Sequence, residues 1–484
     1  MTGFSLKRYP NIIVTALALL LSISCTVFTP KDNSNATSTP LPLITVTPPP
    51  LELTPTSLPA SLNVTGPYIL FGSATGIWIT NPDGSFPTKI SDLTIDLQNL
   101  HRAISPNGDR LALVVRNDQG LDLMEVRIPS GETKLITNLL SYSENELVND
   151  PLSTKAFASY AISGYYDNAA WQPGTGQLLA FAGAINAPTS DLYVYDTQTE
   201  KITQLTDGPS HAIDPNWSPD GKYILHYGVS WVPPFGGAIG GANQLDGVWA
   251  VQISDGKVIT LPKPKSITDN FVGWQDDSHY ITYDSDDECF SQSLRSVDVV
   301  SGETTPIMDL SFYYQIVQSP ENKSLLFAGS VGCATSPGEG IFLLPAGQST
   351  PIKLADKKAY EVNWLMESRV FQAYPEALFS SDGSLRYDPP VYDSSFQPAI
   401  SKNGYQAWEV IQNQQGRVEV KTPNNEWQTI LNGHVDELIW DPITGETLLI
   451  ALNDGSLYAA SYPDFTPRLM GNMGGPASQA IWTP

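Results

Sequence analysis

The chain has 484 residues, of which 41% are hydrophobic and only 16% charged, with 37 glycines and 39 prolines. Such a composition favours short strands and many turns over helices. Acidic residues outnumber basic ones by 50 to 26, a net charge of −24, which argues against nucleic acid as a partner because phosphate binding needs a basic face. The acidity reads as the solubility of an exposed protein rather than as a cation store.

In chain order, the first element is an address. "MTGFSLKRYPNIIVTALALLLSISC" has a positive start at Lys7 and Arg8 and an apolar run, Ile12 to Leu21, that is too short for a comfortable membrane span. Small residues then precede Cys25. The segment "LSISC" resembles the lipobox of bacterial lipoproteins. The resemblance implies that residues 1–24 are a signal peptide and that Cys25 carries the lipid. Ser22 departs from the pattern, with Leu21 one position early, so a plain signal peptide or an uncleaved anchor stays open. Residues 25–62 follow as a Pro/Thr/Ser-rich tether with Pro48, Pro49 and Pro50 in a row. Proline removes a backbone donor and fixes one dihedral, so this stretch is expected to be extended and unpacked. At ~3.1 Å per residue it reaches roughly 100 Å at most. The expected location is extracytoplasmic, on the bacterial cell membrane.

Residues 63–484 read as one repeat domain. The clearest copy is "DPNWSPDGKYILHYG", Asp214 to Gly228. An alternating strand ends at Trp217, Pro219-Asp220-Gly221 makes a turn, and a second strand follows from Tyr223. "GVWAVQISDGKVITL" adds two more strands around another Asp-Gly turn. Four antiparallel strands in about 45 residues is the size of one propeller blade. The unit recurs along the chain, with Trp171, Trp217, Trp274, Trp364, Trp440 and Trp482 in equivalent places. These residues resemble the TolB-type, WD40-like repeat, which implies a β-propeller and a binding role without implying a ligand. The repeated tryptophans are expected to pack between blades.

The fold class expected is therefore all-β, a single propeller of four-stranded blades. Eight is the favoured count, within a range of seven to nine, because the spacing from Trp364 to Ile400 is short enough for an incomplete unit. The first recognisable strands, "YILFGS" and "GIWITN", are second and third strands. The final "ASQAIWTP", Ala477 to Pro484, is a first strand with nothing after it. The two are expected to complete one blade and close the ring, removing its open edges.

Four unusual connections fall on one face of such a ring. They are Leu140 to Tyr166, Val229 to Asp246, "SDDECFSQ" and "SVGCATSPGEG". Long loops on a rigid scaffold are where binding usually lives. Trp231, Pro233 and Phe235, with Tyr165 and Tyr166, form the expected binding surface. Trp231 could equally belong to a loop that folds over the tunnel mouth and buries it. Cys289 and Cys333 lie in equivalent loops of adjacent blades and are expected to pair outside the cytoplasm. A bond between them would contribute roughly 3–4 kcal/mol by chain-entropy estimates.

Candidate chemistry is sparse. Asp284, Asp286, Asp287 and Glu288 crowd one loop, but the EF-hand glycine and distal glutamate are missing, so a solvated acidic loop is expected rather than a metal site. His211 and His434 precede turn prolines and are expected to serve the blades. There is no G-x-S-x-G elbow, haem site or nucleotide loop. The expected function is a monomeric, non-enzymatic scaffold without a cofactor that binds an envelope protein, peptide or glycan. The alternative is a propeller lyase or glycosidase with its site at the tunnel mouth.

Overall fold

The computed structural model describes residues 45–46, 62–95, 99–150, 153–163, 168–231, 244–263, 271–285, 291–311, 316–329, 339–357, 359, 361–392 and 394–483. They form a single β-propeller of nine antiparallel sheets. Blade 1 combines Ala477–Trp482 with Ile69–Ser73, Gly76–Thr80 and Thr88–Ser91. Blades 2 to 9 follow in chain order. Their second strands are Arg110–Asn117, Leu178–Gly183, Tyr223–Trp231, His279–Ser285, Leu325–Gly329, Val370–Tyr374, Gln406–Gln412 and Thr447–Leu452.

Nine lies within the expected range, one above the favoured count. The unit between Trp364 and Ile400 is complete despite its shortness. Its strands Glu361–Leu365, Val370–Tyr374, Ala377–Ser380 and Arg386–Tyr387 are brief, and only Pro375 and Glu376 separate the second from the third.

The core shows why the ring holds. Successive side chains of a strand point to opposite sides, and here both sides are covered. Ile69 and Phe71 pack with Ile439 and Leu449 of blade 9, while Leu70 packs with Leu111 and Leu113 of blade 2. The described residues form nine such buried clusters, one at each junction between neighbouring blades.

Three of the repeated tryptophans staple these junctions. The indole N–H of Trp171 donates to the Ala103 carbonyl (2.8 Å), that of Trp217 to Ala170 (2.8 Å) and that of Trp440 to Ala399 (3.1 Å). Each bond reaches back to the preceding blade.

Ring closure is direct. Ile69, Leu70, Phe71 and Gly72 face Trp482, Ile481, Ala480 and Gln479 in antiparallel register. Beyond the ladder, the Thr483 N–H donates to the Tyr68 carbonyl (2.8 Å), and the Tyr68 N–H donates back to the Thr483 hydroxyl (2.9 Å). The Gln479 side chain also accepts from the Leu100 N–H of blade 2 (2.5 Å).

Two elements differ from the sequence reading. Blade 2 has three strands, with helix α1 (Leu100–Ala103) in the place of its first. The Asn99 side chain accepts from the His101 N–H (2.9 Å) and caps the helix. Only the Ile104–Leu111 bridge remains of the expected pairing. The long connection after Leu140 contains helices α2 (Glu144–Asn149) and α3 (Thr154–Ser163). Glu146 reaches back to the Ser143 N–H (2.7 Å) as in a capping box. Ala158 and Ile162 of α3 join the blade 2–3 core, and Ala161 joins that of blades 4 and 5. At the outer rim, Thr45–Val46 pairs with Lys201–Gln204 of blade 3.

Removing residues 477–484 takes away the partner strand of Ile69–Ser73 and the buried Ile481. We expect the truncated protein to melt at least 10 °C lower or fail to fold, as judged by calorimetry. For Trp217→Phe, the Ala170 carbonyl loses its donor. Chemical denaturation should show a loss of about 1 kcal/mol, the usual net contribution of such a hydrogen bond where the acceptor is part-buried.

Candidate functional site

The two faces of the ring differ in kind. First strands run from one face to the other, so the tryptophan ends and the turns that follow lie together on what we call the turn face. There the connections are tight, as at Ser218–Gly221 and Asp441–Gly445, where backbone N–H groups close on the first residue of the turn (2.8 and 2.9 Å). On the opposite face lie α2, α3 and the ends of the second strands and starts of the third strands of blades 4, 5 and 6.

Blade 4 carries the described part of a site on this loop-rich face. Trp231 closes its second strand opposite Gln244. In the third strand, Trp249 lies opposite His226 and stacks on it with ring centroids 5.7 Å apart. The indole rests on a glycine bed. A Cβ at Gly228 would come within 2.3 Å of the ring, and one at Gly247 within 2.7 Å. Close to it, the Ser210 hydroxyl donates to Asp246 (2.5 Å). His211 is buried, and its Nδ1 accepts from the Ser190 N–H (3.0 Å). Burial pulls both His211 and His226 down to about 4, so both are neutral at physiological pH. A half-buried indole on a rigid glycine bed, edged by a serine and a carboxylate, offers a stacking face with polar neighbours. The sequence reading missed Trp249; a tryptophan two residues from a glycine in a third strand was the available signal.

Other sequence candidates are dispersed. Asp284 lies in the second strand of blade 5, opposite Ser293. Cys25, Tyr165, Tyr166, Pro233, Phe235, Asp286, Asp287, Glu288, Cys289 and Cys333 lie outside the described residues. The strand ends that flank Cys289 and Cys333 are nonetheless equivalent connections of blades 5 and 6. His434 Nε2 lies 3.1 Å from the Gln414 carbonyl and Nδ1 3.5 Å from Glu409, both in blade 8. It serves the junction of blades 8 and 9. Among the described residues, no group of three or more His, Cys, Asp or Glu side chains could hold a metal ion, and no described helix is long and apolar enough to cross a membrane.

The turn face has a polar cluster of its own near the ring axis. Glu367 follows the first strand of blade 7, and Trp482 of blade 1 is its polar neighbour, favouring the charged form of the carboxyl. Its Oε1 lies 3.5 Å from His101 Nδ1 in blade 2. Trp482 is thus set apart from Trp171, Trp217 and Trp440, which bond to a backbone carbonyl of the neighbouring blade. Arg102, beside His101, points instead to blade 4, donating to the Pro215 carbonyl (2.8 Å) and lying 3.5 Å from Asp214. Elsewhere on this face a polar cleft of about 310 Å³ separates blades 2 and 3, and its Arg110 is already paired with Asp109 and Glu125.

With this geometry in view, known structures can be compared. No protein-family model and no curated protein matches the chain. Among solved structures it is similar to an oligogalacturonate lyase from Vibrio parahaemolyticus, at 11% identity and TM-score 0.36, covering 62% of this chain and 76% of that one. It is also similar to TolB from Acinetobacter baumannii, at 11% identity and TM-score 0.28, covering 77% and 82%. A third is dipeptidyl peptidase 4 from Porphyromonas gingivalis, at 10% identity and TM-score 0.43, covering 78% of this chain and 60% of that one. The β-propeller fold rests on this chain's own nine sheets. Likenesses this distant carry no argument about activity.

Gly247→Ala tests the glycine bed. The added methyl forces Trp249 aside, so its near-ultraviolet circular dichroism should change while the far-ultraviolet spectrum stays that of the parent. An unchanged near-ultraviolet spectrum would contradict the packing described.

Proposed function

We propose that the protein is a lipid-anchored, extracytoplasmic propeller that acts as a binding scaffold, with no bond-making step, for an envelope protein, peptide or glycan. The observation that carries this reading is the asymmetry of the ring. The strand ends that lead into the long connections of blades 4 to 6 lie on one face with α2 and α3, whereas the turn face is built from short turns. A rigid platform with aromatic anchors recognises a partner at small conformational cost. The lipobox-like segment ending at Cys25 and the tether 25–62 would hold that platform off the membrane, with the Cys289–Cys333 bond fastening two neighbouring loops.

The test is affinity capture from the cell envelope with the tagged full chain, as parent and as Trp231→Ala. We expect capture to fall at least tenfold with a melting temperature within about 2 °C of the parent, the outcome for a residue whose role is to anchor a partner. A large fall in melting temperature with capture intact would instead make Trp231 a packing residue.

One observation favours a second reading, a propeller lyase or glycosidase with a site near the axis. Glu367 and His101 are adjacent titratable groups with opposite shifts, the pattern of an acid–base pair. Turnover on a polysaccharide panel, lost in Glu367→Gln, would establish it.

A further inference from the structure

The turn that carries Glu367 meets residues of four other blades. It leaves blade 7 after Leu365. The Ser368 hydroxyl accepts from the Ile400 N–H of blade 8 (2.9 Å). Glu367 neighbours Trp482, the last residue of the closing strand, and its Oε1 lies 3.5 Å from His101 Nδ1 of blade 2. Arg369 lies over the Trp482 ring, 5.8 Å from its centroid, and its Nε is 3.4 Å from Glu321 of blade 6. The side chains of Glu367 and His101 are only 19% and 30% exposed. Of the other nearby charges, Arg369 reaches Glu321 and the Trp482 ring and also acts on Glu367, favouring its charged form less than burial opposes it, while Arg102 pairs with Asp214. A carboxyl and an imidazole are thus placed together, largely out of water, at the point where the ring closes.

We propose that Glu367 and His101 form a proton-operated latch on ring closure: while the pair holds one proton, the closing strand is tied across to blades 7 and 2, and loss of that proton to solvent at alkaline pH favours release of the strand.

The physical reason is the cost of a buried charge. Burial pushes the Glu367 carboxyl up to about 8 and pulls His101 down to about 4. The closed junction therefore holds a single proton, with both groups neutral, across the middle of the pH range. An opened junction would return the two groups toward 4.5 and 6.5, their ordinary values. Above pH 6.5 the opened state has released the proton that the closed state keeps, so each rise in pH favours opening until the closed Glu367 ionises near 8. Between 4.5 and 6.5 the opened glutamate loses a proton while the opened histidine gains one, and the two effects cancel. Below 4.5 the opened state holds more protons than the closed one, and opening is favoured again. Alkaline loosening beginning near pH 6.5 is the signature of the pair acting together.

The experiment is hydrogen exchange read by mass spectrometry on the peptide covering Ala477 to Thr483 in the full chain, corrected for the intrinsic pH dependence of exchange. Opening should rise roughly tenfold per pH unit between pH 6.5 and 8 and level off above. Glu367→Gln keeps an acceptor for Trp482 but cannot titrate, so its opening should be flat over that range. His101→Gln removes the cancelling group, so the rise should begin nearer pH 4.5. If Glu367→Gln does not fold, the onset in His101→Gln decides. Protection in the parent that is independent of pH between 6.5 and 8 would overturn the latch. So would an unchanged slope in Glu367→Gln, or an unchanged onset in His101→Gln.

Discussion

The pairing of Ala477–Trp482 with Ile69–Ser73 is the contact on which the rest depends. Every blade is buried on both sides, so each interior surface needs two neighbours. An open ring would leave Ile69 and Phe71 facing water on one side and Ile439 and Leu449 on the other. It would also leave a strand edge unpaired. Closing the circle with the last strand satisfies all nine junctions at once, through contacts between residues some 400 positions apart in sequence. The indole bonds from Trp171, Trp217 and Trp440 work in the same direction, since each uses a backbone carbonyl of the neighbouring blade as its acceptor. At the closing blade Trp482 neighbours the Glu367 carboxyl, which brings a titratable group into the joint.

This architecture separates stability from recognition. The turn face and the inter-blade clusters fix the shape of the ring. The loop-rich face can then vary in length and composition at little cost, because long connections are tolerated when their ends are held by strands. Blade 4 shows the division within one sheet. Its Trp217 staples a junction, while Trp249, two strands out, lies on glycines toward the loops. The same residue type serves packing at one position and offers a surface at another, and the difference lies in what surrounds it.

Much of the fold was legible from the chain. Strands alternating around Pro-Asp-Gly and Asp-Gly turns, with a tryptophan at the first-strand end of six blades, identify blades because both signals arise from local geometry. The closing strand could be read because one blade lacked a first strand and another strand lacked a blade. What escaped the sequence was set by distant contacts. Leu100–Ala103 forms a helix in blade 2 because Asn99 caps it and Gln479, from the far end of the chain, meets its first N–H. The compact unit around Trp364 counts as a whole blade because Pro375 and Glu376 suffice to join two strands. Glu367 and His101 lie 266 positions apart with no motif to connect them, and only the curvature of the ring brings them together. Trp249 resembled any other strand aromatic until Gly228 and Gly247 were seen beneath it.

The central claim is that one face of the ring recognises a partner and the other does not. The most direct measurement is envelope capture by two variants of the full chain compared with the parent. One carries Trp231→Ala with Trp249→Ala on the loop-rich face. The other carries Ile443→Asp with Tyr462→Ala, whose parent side chains are exposed on the turn face. The account predicts loss of capture in the first variant and parental capture in the second. Parental capture in the first variant, or equal loss in both, would contradict it.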